Sequence, residues 1–153
     1  KGVKEALGAG TLAGYPVVGI KVTLFDGSFH AVDSSDFAFQ RAGVMAIRKA
    51  LPDARPVLLE PIMEMEIDVL EGDVGKVSKD LSGRRGKVAS YSYKDFTTVI
   101  HAEAPLAELM DYTQSLRGIT LGMGRFSLKL KSYEVLASNL AEKVIASRKV
   151  DEE

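Results

Sequence analysis

The sequence predicts an α+β chain: a strand-and-helix segment, then a β-α-β-β-α-β unit, then a last helix. Three observations carry this. Apolar and polar residues alternate over Val17 to Phe25, Pro61 to Val69, Thr97 to Ala104 and Arg125 to Lys131, the period of a half-buried strand. Between these runs, apolar residues recur three and four apart, the period of a helix with one packed face. Gly, Pro, Asp and Ser separate the two kinds of run, as turn and cap residues do.

Lys1 to Ala9 reads as the end of an amphipathic helix closed by Gly8 and Gly10. Ala13-Gly14-Tyr15-Pro16 is a turn. Val17 to Phe25 is a strand with Val18, Ile20, Val22 and Leu24 on one face. Asp26-Gly27 predicts a hairpin or loop tip, because both residues tolerate positive φ. Phe29 to Val32 can resume as a short strand. Asp33, Ser34 and Ser35 are N-cap candidates for a helix over Asp36 to Ala50, with Phe37, Val44, Ile47 and Leu51 on one face. Pro52 and Pro56 end that helix and begin an extended link. The pattern changes there, so two domains are expected, residues 1–57 and 58–153.

In the second stretch, Pro61 to Val69 turns Met63, Met65, Ile67 and Val69 inward and Glu64, Glu66 and Asp68 outward. Asp73 can cap a helix carrying Val74, Val77 and Leu81 and stopped by Gly83. Lys87 to Tyr91 is a strand, Lys94-Asp95 a turn, and Thr97 to Ala104 the next strand. Pro105 opens a helix where a missing N–H costs nothing. Its stripe is Leu106, Leu109, Met110, Leu116 and Ile119, and Gly122 and Gly124 break it. The fourth strand, Arg125 to Lys131, points Phe126, Leu128 and Leu130 inward. A last helix holds Leu140, Ala141, Val144 and Ile145. This β-α-β-β-α-β order is the ferredoxin-like one and places the fourth strand beside the first. Lys129 and Lys131 then lie next to Glu64, Glu66 and Asp68, as cross-strand opposite charges. An RNA-recognition sheet needs outward aromatics instead, so that reading of the sheet face is rejected.

Composition removes several function classes. With 153 residues and 46% hydrophobic content, the chain can bury a core. It has no Cys and 2 His, which excludes disulfide, thiol and Cys-zinc chemistry and leaves little for a histidine metal site. Residues 1–57 hold 7 basic and 5 acidic residues, and 58–153 hold 13 and 16. Any nucleic-acid contact must therefore rest on clustered cations rather than on bulk charge. No signal segment and no bilayer-length apolar run occurs, so a cytoplasmic protein without membrane association is expected. Lys1 in place of Met, followed at once by helix-like sequence, suggests a C-terminal piece of something longer.

Two letter matches to nucleotide motifs fail on context. Gly72-Asp73-Val74-Gly75-Lys76-Val77-Ser78 has two residues between its glycines where a phosphate loop needs four. Gly8-Ala9-Gly10-Thr11-Leu12-Ala13 follows a helix end where a dinucleotide fingerprint follows a strand. Glu64, Glu66 and His101 read as a solvated sheet face, and no nucleophile elbow occurs. Two loops are more informative. Asp26, Gly27, Ser28, Phe29 and His30 form either a hairpin with an exposed His or an RNA-contacting finger in which a ring stacks on a base. Ser82-Gly83-Arg84-Arg85-Gly86-Lys87 puts three cations in a helix-to-strand turn. That suits phosphate, and equally a helix C-terminal dipole.

Several runs, in order, resemble one family, the elongation factor G group of translational GTPases. They are Leu12-Ala13-Gly14-Tyr15-Pro16-Val17-Val18, Asp26-Gly27-Ser28-Phe29-His30-Ala31-Val32-Asp33-Ser34-Ser35, Pro56-Val57-Leu58-Leu59-Glu60-Pro61-Ile62-Met63 and Gly83-Arg84-Arg85-Gly86. Ala104-Pro105-Leu106, Glu108-Leu109-Met110, Leu116-Arg117 and Asn139-Leu140-Ala141-Glu142-Lys143 continue the likeness. The resemblance implies the end of the ribosomal-protein-like domain IV, a partial βαβ unit with a left-handed crossover, over 1–57. It implies the ferredoxin-like domain V over 58–153.

It also implies a function. The tip Asp26 to His30 would enter the decoding region beside tRNA and mRNA, with His30 at the family's tip histidine. The other domain would dock near the GTPase-associated centre of the large subunit, with Arg84, Arg85 and Lys87 at ribosomal RNA phosphates. Ribosomal proteins of that centre are expected neighbours, and the piece itself is expected to be a monomer. GTP and Mg would belong to an upstream GTPase domain. No catalytic residue, metal or cofactor is expected within these residues. Phe29 stands where many members carry Tyr, Arg48-Lys49-Ala50-Leu51-Pro52-Asp53 departs from the usual run, and Leu121 and Met123 are apolar where polar residues are common. A divergent paralogue acting in ribosome recycling is therefore an open alternative to the main translocase, and a stand-alone RNA-binding scaffold is another.

Overall fold

The structure is a computed structural model and describes residues 1–150, with side chains through Arg148. It divides into two compact units. One comprises residues 1–58 together with the segment from Leu136 onward, and the other is Leu59–Val135.

The first unit is built on α1 (Gly2–Ala6) and α2 (Asp36–Ala50). Ser35 caps α2, its Oγ accepting from the Ala38 N–H at 3.1 Å, as the cap candidates suggested. Ala6, Ile47 and Leu51 form the core, with Val3, Leu7, Val17 and Val44 against it. The helices approach closely at Gly2, where a Cβ would stand 2.0 Å from the Gln40 carbonyl oxygen. Phe37, expected on the packed face, is 71% exposed. The strand expected over Val17 to Phe25 is absent: these residues run as irregular backbone with both sets of side chains largely exposed. A strand exists only through ladder hydrogen bonds, and among the described residues no segment pairs with this one. Alternation in the sequence reports a capacity for pairing, not the partner. Without that strand, the described residues of this unit show no βαβ crossover.

The C-terminal helix α5 (Ser138–Val150) goes with this unit, whereas the sequence reading kept 58–153 together. The Leu136 N–H donates to the Leu58 carbonyl at 2.9 Å, and the Arg148 guanidinium lies 4.8 Å from the centre of the Tyr15 ring.

The second unit is the expected four-stranded antiparallel sheet with helices on one face. Its elements are β1 (Leu59–Leu70), α3 (Val74–Gly83), β2 (Lys87–Lys94), β3 (Thr97–Pro105), α4 (Tyr112–Thr120) and β4 (Arg125–Val135). The strand order is β2-β3-β1-β4, so the fourth strand does lie beside the first. Met65, Ile67 and Val69 of β1 and Ile100, Ala102 and Ala104 of β3 face Val77 and Leu81 of α3 and Tyr112 and Leu116 of α4. Each helix offers buried residues four apart, and each strand residues two apart, which is why both periods were visible beforehand.

Pro105 closes β3 and leads into a 3-10 turn, Leu106–Leu109, so α4 begins later than expected. On the open face Glu64 stands opposite Lys129, while Lys131 reaches past β1 to bond Glu103 on β3. That bond holds the Lys131 ammonium pKa above its ordinary value.

Candidate functional site: an exposed loop and a basic turn

The loop Asp26 to His30 belongs to the first unit, and all five residues are exposed. Asp26 Oδ1 accepts from the Gly27 N–H at 2.7 Å. Neither residue adopts positive φ, so the hairpin turn expected from Asp-Gly is not formed. A different device shapes the loop. The His30 N–H donates to Ser34 Oγ at 2.8 Å, and the His30 carbonyl accepts from the Asp33 and Ser34 N–H groups at 3.2 and 3.0 Å. Ser34 thus holds the backbone of His30, and Ser35 beside it starts α2. The side chains of Phe29, 68% exposed, and His30 are left outward. An outward ring can stack on a base, and an outward imidazole can meet a phosphate or a 2′-hydroxyl.

The turn Arg84 to Lys87 belongs to the second unit, at the exit of α3. The two arginines are engaged within the chain. Arg84 Nε donates to Asp80 Oδ2 at 2.9 Å, and its Nη1 donates to the Glu108 carbonyl at 2.7 Å and to Asp111 Oδ1 at 2.6 Å. The guanidinium lies 5.4 Å from the centre of the Tyr112 ring. Arg85 makes a two-pronged bond to Glu60, at 2.8 and 2.9 Å, and a third to Glu108 Oε1 at 2.9 Å. Hydrogen bonding to Asp111, opposed by burial, raises the Arg84 pKa further, and Glu60 does the same for Arg85. In return Arg84 holds the Asp111 carboxyl below its usual range.

The backbone explains why these charges converge. Gly83, expected to stop α3, is its last residue, and the left-handed position falls on Arg85 at φ 57°. A non-glycine residue there is strained, and this same residue carries the fork to Glu60. Gly86 follows so tightly that a Cβ would lie 2.7 Å from the Leu81 carbonyl oxygen. Lys87 starts β2 with its side chain exposed and in no ion pair among the described residues. The turn is thus a clasp joining β1, α3 and the start of α4, with one outward cation.

Sequence reasoning missed the four acids of this clasp, Glu60, Asp80, Glu108 and Asp111. Asp80 alone had a signal, sitting four residues before Arg84 on one helix. The acid–histidine set of the sheet face is real but open. Ser92 Oγ lies 2.9 Å from His101 Nε2, and Glu66 Oε1 lies 3.9 Å from Nδ1. Glu66 and His101 sit on the two central strands, whose amides are spent in the ladders, leaving no paired donors there for an oxyanion. Among the described residues no group of three or more acids and histidines could hold a metal, and no helix is long and apolar enough to cross a membrane.

The family model of elongation factor G, domain IV, matches residues 1–55, and that of the elongation factor G C-terminus matches 57–144. Elongation factor G of Aquifex pyrophilus is 50% identical over 148 residues, which is 97% of this chain and 21% of that protein. An elongation factor G-like protein of Thermotoga maritima is 45% identical over 150 residues, 97% of this chain and 22% of that protein. A crystal structure of a Thermus thermophilus protein superposes with a TM-score of 0.89 at 41% identity, covering 97% of this chain and 23% of that one. The chain spans about a fifth of the length of the curated relatives it matches.

Proposed function

The chain belongs to the elongation factor G family, and from that premise we propose that it forms the ribosome-contacting far end of a translocase. The loop Asp26 to His30 enters the decoding region of the small subunit and supports movement of tRNA with mRNA. The sheet unit docks on the large subunit near the GTPase-associated centre. GTP hydrolysis with its Mg resides in an upstream domain of the parent, and the parent works in the cytoplasm. The observation that carries this reading is the loop itself: a ring and an imidazole held outward by a backbone that Ser34 and Ser35 fix from behind.

The geometry redistributes the cations. Arg84 and Arg85 serve first to hold the turn, since each of their forks already meets carboxylates. Lys87, with Lys79 on the shallow cleft beside α3, offers the charge left for ribosomal RNA phosphates. The test is His30→Ala in the full-length parent, read by single-turnover mRNA movement and by GTP hydrolysis in the same preparation. Movement slows by roughly tenfold, as for loss of one contact worth about 1.4 kcal/mol in the transition state, while hydrolysis is unchanged. Movement and subunit splitting both at the wild-type rate would remove the role of the loop. Normal movement with slowed subunit splitting would assign the parent to recycling.

A further inference from the structure

The first unit holds a cleft of about 330 Å³ lined by Ala9 to Gly14, Arg48 and Arg148. It is built from the glycine-rich run whose letters match a dinucleotide fingerprint. The run follows α1 and not a strand, so the dinucleotide reading fails on structure as it did on sequence. What remains is a cradle of backbone.

The Gly10 N–H donates to the Tyr15 carbonyl at 2.8 Å, and the Gly14 N–H to the Gly10 carbonyl at 3.2 Å. These two bonds draw the loop into a ring that only glycines permit. A Cβ at Gly10 would stand 2.9 Å from the Tyr15 oxygen, and Gly14 has φ +71°. Between these two glycines, the successive N–H groups of Thr11, Leu12 and Ala13 have no acceptor among the described residues. Thr11 is exposed, Leu12 half-buried and Ala13 buried, so the run passes from the surface inward. Runs of unspent amides in a turn form an anion-binding concavity.

The walls have the matching charge. Arg48, in the last turn of α2, makes no ion pair among the described residues, and among them no carboxylate lines the cleft. Arg148 closes the other wall, stacked on Tyr15 and donating to its hydroxyl at 3.3 Å. Thr11 adds a hydroxyl. Guanidinium and amide donors around a small space match the oxygens of a phosphate group, and the volume suits that group with one attached sugar-sized body.

We propose that this cleft binds a phosphate group, free or within an RNA backbone, with Arg48 and the amides of residues 11–13 as its donors. The site stands apart from the 26–30 loop, and its test needs no ribosome. The ¹⁵N-labelled chain is titrated with inorganic phosphate at fixed ionic strength balanced by potassium chloride. Amide signals of Ala9 to Gly14 shift and saturate, with a dissociation constant in the millimolar range typical of one small anion, on the order of 1 mM. Arg48→Ala weakens binding at least tenfold with the remaining spectrum unchanged, and Arg48→Lys recovers part of it, keeping the charge but losing the fork. In a second arm a short single-stranded RNA replaces phosphate. Saturation of the same signals at lower concentration assigns the RNA backbone as the source, and a response to inorganic phosphate alone assigns the free anion. Shifts that never saturate, or an affinity unchanged in Arg48→Ala, overturn the proposal.

Discussion

Arg84→Ala distinguishes a clasp from a phosphate contact. The guanidinium is largely buried, its side chain 15% exposed, and it serves Asp80, the Glu108 carbonyl, Asp111 and the Tyr112 ring at once. Asp111 is 70% exposed and contributes little. The bonds to Asp80 and the Glu108 carbonyl contribute about 1 kcal/mol each, and the ring contact about 0.5 kcal/mol. The loss is then roughly 2–3 kcal/mol, or a fall in Tm of about 10 °C or more for a unit of this size. With Tyr but no Trp in the chain, urea unfolding is followed by far-UV circular dichroism and tyrosine fluorescence. Arg84→Lys keeps the charge but not the fork and should fall between.

The pH dependence has a definite sign. The Asp111 carboxyl is held below its ordinary value of 3.8, so its share of the clasp is present above that pH and disappears as pH falls through the lower folded value. The stability gap between wild type and Arg84→Ala should narrow only below about pH 3.8. An unaltered urea midpoint together with lost ribosome co-sedimentation would refute the clasp and return Arg84 to the RNA.

Two further substitutions test the packing beneath the turn. Tyr112 is fully buried, and its hydroxyl has no partner among the described residues; burial also keeps its pKa above the usual value. Tyr112→Phe should be neutral or stabilise by up to about 1 kcal/mol, and a loss beyond that in denaturation would mean that the hydroxyl has a partner after all. Gly86→Ala forces a methyl against the Leu81 carbonyl and should cost about 1–3 kcal/mol, so wild-type stability would contradict the close approach.

The sheet unit was legible because its residues state their own periods. Met65, Ile67 and Val69 repeat every second residue, Val77 and Leu81 every fourth, and the structure buries all five. Ser35 as cap and Asp36–Ala50 as helix were equally plain. The illegible parts depend on partners remote in sequence. Val18, Ile20, Val22 and Leu24 alternate as well as any strand here, yet pairing is decided by a second segment. Arg84 and Arg85 looked like free cations because Glu60, Glu108 and Asp111 lie more than twenty residues away and meet them only on folding. The left-handed turn after α3 falls on Arg85 and not on Gly83, a choice that no local glycine signal announces. Of the candidate contact residues, those of the 26–30 loop are exposed, Phe29 among them despite its apolar ring.

The run from Val17 to Phe25 has a practical consequence. Beyond Val17, whose N–H donates to the Leu7 carbonyl, it carries backbone donors and acceptors in no ladder beside apolar side chains, and a second molecule with the same run can supply the complement. Handled alone and concentrated, the polypeptide would zip to its own copies, and its apparent mass in solution would rise with concentration.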